Sequence, residues 1–67
     1  MDVTVNGTTR QVPDGATAEQ LLESLSVRKE LVVVEVNLTI LKRHQLSATV
    51  LQPGDQIEIV QLVGGGA

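Results

Sequence analysis

Apolar and polar residues alternate at the start of the chain. Val3 and Val5 fall between Asp2 and Thr4, which is the two-residue period of a half-buried strand. Asn6-Gly7 follows, a pair in which both residues tolerate positive φ, and Thr8 to Val12 returns with β-favouring residues. Residues Asp2 to Val12 therefore predict a β-hairpin, stopped by Pro13-Asp14-Gly15. The period then changes. Thr17 stands as a helix N-cap with Gln20 three residues on, a capping-box pattern, and Leu21, Leu22 and Leu25 share one helical face. Glu19 in the first turn, and Arg28 and Lys29 beyond the helix end, suit the helix dipole.

Leu31 to Asn37 loses alternation almost entirely through Val32, Val33, Val34 and Val36, and predicts a strand buried on both faces. Leu41-Lys42-Arg43-His44 reads as a short strand followed by one helical turn, and Leu46 to Leu51 as connecting structure. Pro53-Gly54-Asp55 is a turn cluster, after which Gln56 to Val63 is a further strand. The order β-β-α-β-(irregular)-β predicts an α+β fold, a mixed sheet of four to five strands with one main helix packed on one face. If the first and last strands are parallel neighbours at the centre, the crossover through the helix is right-handed and the arrangement is a β-grasp. Residues 1–63 form the domain in this reading, and residues 64–67 a flexible C-terminal glycine tail.

Composition narrows the chemistry. The 67 residues include no Cys, Trp, Tyr or Phe, and 23 are Leu, Val or Ile. No thiol is available as nucleophile, redox centre or zinc ligand, and no disulfide can form. A formal charge of −3 without aromatic rings argues against a nucleic-acid partner. The longest unbroken apolar run, Leu31 to Val34, is far short of the ~20 residues of a membrane helix. The first residues lack a basic start and apolar core, so the expectation is a cytoplasmic protein with no membrane association. His44 has no second His or Cys to share a metal, and no metal site is expected. The carboxylates Asp14, Glu19, Glu23, Glu30, Glu35, Asp55 and Glu58 are scattered over different elements, with no pair set for acid–base work. The chain does not read as an enzyme.

The remaining chemical feature is Gly64-Gly65-Gly66 directly after a strand. Two readings stand from the residues alone: a frayed terminus, or a thin segment that enters a slot too narrow for side chains. Four extended residues span ~13 Å, enough to carry a terminal carboxylate into a partner's active site. A carboxylate is a poor electrophile and needs activation, most simply as an acyl-adenylate. Displacement of AMP by a sulfur nucleophile gives a thiocarboxylate, and displacement by a lysine amine gives an isopeptide bond. Beside this segment, simple alternation from Ile57 and Ile59 puts Glu58, Val60 and Leu62 on the face away from the core. Val60 and Leu62, with Val63, form a candidate partner-binding patch, the alternatives being a second core layer or ordinary surface residues.

The segment Pro53 to Gly66, with Gly65-Gly66 at its end, resembles the C-terminus of the ThiS family of sulfur carriers, which are ubiquitin-like β-grasp proteins. Asn6-Gly7, Leu21-Leu22-Leu25 and Val34-Glu35-Val36-Asn37 also sit where that family places them. The resemblance implies that the terminal glycine carboxylate, at Gly66, is adenylated by an E1-like, ThiF-type adenylating enzyme using ATP. A sulfur donor protein then converts it to a thiocarboxylate, and a ThiG-type thiazole synthase receives the sulfur for the thiazole of thiamine. No cofactor is held by the carrier itself. The family's working form ends in Gly-Gly, so Ala67 is either removed before activation or a remnant of expression. Carriers for molybdopterin or cysteine synthesis, a ubiquitin-like modifier and a plain interaction module are the other readings.

Overall fold

The computed structural model describes residues 1–62. Strands β1 (Asp2–Val5) and β2 (Thr8–Gln11) form the N-terminal hairpin, joined by Asn6 and Gly7 with φ of 48° and 83°. Both values lie in the left-handed region that a tight hairpin turn requires and that Asn and Gly tolerate. Helix α1 (Ala18–Ser24) starts as expected. The Thr17 hydroxyl accepts from the Gln20 backbone N–H at 3.1 Å, and the Thr17 N–H donates to Gln20 Oε1 at 3.0 Å. Strands β3 (Val32–Val36), β4 (Thr39–Leu41) and β5 (Gln56–Gln61) complete the set. Single 3-10 turns occupy Lys29–Leu31 and Arg43–Gln45.

Among the described residues the five strands make one mixed sheet in the order β2-β1-β5-β3-β4. β1 and β5 run parallel, with Val5 opposite Ile57, and every other pairing is antiparallel. The first and last strands are therefore neighbours, and α1 lies in the connection that leads away from the hairpin and back to the sheet. The predicted β-grasp with one helix over one face is what the chain adopts.

The core lies between that face and α1. Val3, Val5, Val32, Val34 and Ile57 come from the sheet, and Ala18, Leu21 and Leu22 from the helix. Leu25, at the helix C-cap, is only half-buried. The stretch Leu46 to Leu51, expected only as connecting structure, adds Leu46 and Leu51 to the core. It is tied to the helix start by the Ala18 N–H on the Thr49 carbonyl and the Leu51 N–H on the Ala16 carbonyl, at 2.9 and 2.8 Å.

Three expectations need correction. β3 is not buried on both faces: Val32 and Val34 are buried, Val33 is half-buried and Leu31 is exposed. With one helix to cover one side of the sheet, the second side has no layer to bury it, so the unbroken valine run supplies core and surface alternately. The short strand that was read from Leu41 begins at Thr39, because Asn37 and Leu38 form a left-handed hairpin turn with φ of 51° and 71°. Lys29 does not serve the helix C-terminus. Its ammonium lies 3.1 Å from the Glu19 carboxylate in the first turn, a partly buried ion pair that outcompetes the weaker attraction of helix-end carbonyls.

Candidate functional site

The proposed reactive segment, Gly64, Gly65 and Gly66 with Ala67 beyond, lies outside the described residues, as does Val63. What the structure does describe is the platform leading to it. β5 is an inner strand, supported by β3 along Ile57–Gln61 and by β1 near its start. Its side chains alternate as the pleat demands. Ile57 is fully buried and Ile59 half-buried on the helix side, while Glu58 and Val60 face away, and Leu62 follows in the same parity. Val60 is 53% exposed and Leu62 60%, so neither forms a second core layer.

Register carries this further than sequence could. Val60 pairs with Val33, and the Leu62 N–H donates to the Leu31 carbonyl at 2.9 Å, one step past the Val32–Gln61 pair. Ile40 on β4 pairs with Glu35 and so shares the same face. Leu31, Val33, Ile40, Val60 and Leu62 thus gather on the side of the sheet that α1 leaves uncovered. Leu31 is 42% and Ile40 63% exposed. Contiguous exposed apolar residues of this kind make the face a candidate partner surface. Sequence reasoning missed Leu31, Val33 and Ile40. The signal for Val33 was its parity against Val60, readable only once the β3–β5 register is known. Ile40 was hidden by the undefined pattern around the β3–β4 turn.

The structure also brings together one carboxylate pair that the sequence left apart. Glu35 and Glu58 are direct cross-strand partners on the same open face. Groups directly opposite sit with Cβ atoms about 5 Å apart, and like charges there repel. Glu58 is exposed and Glu35 half-buried on that face. Three other carboxylates lie in ion pairs, Asp14 with the N-terminal ammonium of Met1, Glu19 with Lys29 and Glu30 with Arg28. His44 is exposed on the Arg43–Gln45 turn, where the Arg43 guanidinium donates to the Glu30 carbonyl at 3.3 Å. Among the described residues no group of three His, Asp or Glu side chains is placed to hold a metal ion, and no helix is long and apolar enough to cross a membrane.

Comparison with known proteins agrees with this architecture. The model of the ThiS family matches residues 3–66. The sulfur carrier protein ThiS of Escherichia coli is 33% identical over 66 residues, which cover 98% of this chain and 100% of that protein. A thiazole synthase of Magnetococcus marinus is 41% identical over 66 residues, 98% of this chain, but the match covers 20% of the synthase. A second thiazole synthase, from Paramagnetospirillum magneticum, is matched over 21% of its length, so the chain spans about a fifth of either of these relatives. Among solved structures, the crystal structure of the thiamine biosynthesis protein ThiS from Geobacter metallireducens superposes with a TM-score of 0.84 at 36% identity, covering 98% of this chain and 100% of that one. A family match along nearly the whole chain, joined to an equally long relative and a superposable fold, makes this chain a member of the ThiS family.

Proposed function

We propose that the chain is a sulfur carrier for thiazole formation in thiamine biosynthesis, a protein co-substrate rather than a catalyst. The observation that carries this reading is the position of Val60 and Leu62. Val60 is exposed on β5 and Leu62 just past its end, shortly before Gly64-Gly65-Gly66 in sequence, and they sit on the face of the sheet that the helix does not cover. A partner that covers this face binds the residues that immediately precede the glycine segment in sequence. Val63, the first residue after Leu62, belongs to the proposed partner contact, as in the sequence reading.

The chemistry then follows from the carboxylate. Ala67 is removed and Gly66 becomes the terminal residue. A ThiF-type adenylating enzyme joins the Gly66 carboxylate to the α-phosphate of ATP, and pyrophosphate leaves. A sulfide equivalent from a sulfur donor protein attacks the acyl carbon, AMP departs with the bonding electrons, and a thiocarboxylate remains. Gly64 and Gly65 admit the backbone to the enzyme's slot because they carry no Cβ. Thiazole synthase takes up the sulfur. The likeness to segments of two thiazole synthases supports that partner, since in those proteins a carrier-like stretch and the synthase share one chain. ATP belongs to the partner, and the carrier holds no cofactor of its own. The proposed setting is the cytoplasm; among the described residues no helix is long and apolar enough to cross a membrane.

The deciding experiment is reconstitution of the full-length chain and, in parallel, of a form ending at Gly66, each with a ThiF-type enzyme, ATP and a sulfur donor, followed by intact mass spectrometry. Exchange of one oxygen for sulfur on a species ending at Gly66 is the expected result. Ladders of conjugates on other proteins would mean a modifier instead, and full-length Ala67 on the activated species would overturn the trimming step. Charging that survives deletion of residues 64–67 would overturn the whole reading.

A further inference from the structure

The two edges of β5 are held in different ways. On one side β3 pairs with it residue by residue from Ile57 to Gln61. On the other side β1 reaches only Val5, opposite Ile57, because the Asn6-Gly7 turn carries the chain away. Ile59 would then present a bare N–H and C=O at an open strand edge, a position that natural sheets protect. The side chain of Asn6 occupies it. The Ile59 N–H donates to Asn6 Oδ1 at 2.8 Å, and Asn6 Nδ2 donates to the Ile59 carbonyl at 3.3 Å. The backbone N–H of Asn6 meanwhile donates to the Ile57 carbonyl at 2.9 Å. One residue extends the β1 ladder past its own turn, its carboxamide standing in for the peptide group that β1 lacks.

Few residues meet both demands. The backbone φ of 48° is in the left-handed region, which Asn tolerates better than most residues. Gly would keep the turn and lose both side-chain bonds. An ionised Asp would still accept from the Ile59 N–H but would set an oxygen against the Ile59 carbonyl, because a carboxylate only accepts. Ile59 immediately precedes Val60 and lies three residues before Leu62, so the held edge adjoins the exposed apolar residues of β5.

We propose that Asn6 is a positioning residue for charging: by clamping Ile59 it fixes the β1-side edge near the end of β5, so that Val60 and Leu62 reach the adenylating enzyme in one geometry. This rests on the carrier reading above. Without the clamp, the strand end is held by β3 alone, and the edge on the β1 side must be fixed each time the partner docks. That cost falls on association, because once the carboxylate and ATP lie in the enzyme's site the chemistry is the enzyme's own.

The test measures KM and kcat for adenylate formation, as pyrophosphate released, with wild-type protein and the Asn6→Gly, Asn6→Asp and Thr17→Ala variants, all prepared to end at Gly66. Amide hydrogen exchange at Ile59 and Val34 is followed in parallel. Asn6→Gly and Asn6→Asp are expected to raise KM by about five- to tenfold, equivalent to one or two lost hydrogen bonds, with kcat unchanged. The Ile59 amide should exchange faster while that of Val34 keeps its protection. Thr17→Ala weakens the helix cap without touching β5, and should leave KM at the wild-type value. A wild-type KM in both Asn6 variants despite a deprotected Ile59 amide would overturn the proposal. So would an equal rise in Thr17→Ala, which would reduce the effect to general stability. If the wild-type protein forms no adenylate, the carrier reading fails, and the positioning role falls with it even where the exchange data show the clamp itself.

Discussion

Replacement of Leu62 by Ala should weaken docking of the adenylating enzyme without unsettling the fold. Complete burial of a leucine side chain is worth about 1.5–3 kcal/mol. Leu62 is still 60% exposed in the free protein, so about 1–2 kcal/mol remains to be gained when a partner covers it. Loss of that gain corresponds to roughly a five- to thirtyfold rise in Kd. Leu62 lies just past the end of β5 and outside the core cluster, so the unfolding free energy should move by no more than about 0.5 kcal/mol. Titration calorimetry against a ThiF-type enzyme without ATP reads the first quantity, and urea denaturation followed by circular dichroism reads the second. The control is Leu38→Ala. Leu38 is 90% exposed, more than Leu62, but it sits on the β3–β4 turn at the opposite end of β5. Equal losses from Leu38→Ala and Leu62→Ala would show that exposed apolar area in general, rather than the face beside the glycine segment, drives binding. No loss from Leu62→Ala would refute the docking argument directly.

Stability offers further checks. Leu38 holds φ at 71°, a conformation that costs a side chain with Cβ roughly 1–2 kcal/mol, so Leu38→Asn should stabilise the domain by about 1 kcal/mol and raise Tm by roughly 4–8 °C in a calorimetric scan. Thr17→Ala removes the capping hydroxyl and should cost about 1 kcal/mol in urea denaturation, with a matching fall in Tm. Ile57→Ala opens a cavity at a fully buried position between β1 and β3 and should cost about 2–5 kcal/mol. At about 0.05–0.15 kcal/mol per residue a chain of this size has about 3–10 kcal/mol in all, so this variant should lose a large share of it and show a markedly lowered Tm.

Much of this architecture was legible in the chain because local signals agreed with the fold. Asn6-Gly7 fixed the first hairpin, Thr17 with Gln20 fixed the start of α1, and the alternation from Ile57 fixed which side chains of β5 turn outward. What escaped was everything that depends on long-range register. The valines of β3 look uniformly buried in sequence, and only the single helix decides that Val33 faces out. The β3–β4 turn at Asn37-Leu38 lacks the glycine that usually marks such a turn, so Ile40 could not be placed. Glu35 and Glu58 are 23 positions apart and meet only through the β3–β5 pairing. The clamp on Ile59 could not be read at all, since the Asn6 signal is fully accounted for by its turn.

The parallel pairing of β1 with β5 has a mechanical consequence. Tension applied between Met1 and Leu62 pulls these two neighbours past each other along their own axes, so the Thr4–Asp55 and Asn6–Ile57 hydrogen bonds are loaded together in shear and cannot be peeled one by one. Ile57 packs at that same seam. Forced unfolding is governed by the height of the unfolding barrier, which shear loading keeps high. An enzyme that tugs on whatever follows Leu62 therefore draws on an anchored handle, and can let go of it again with the sheet still whole.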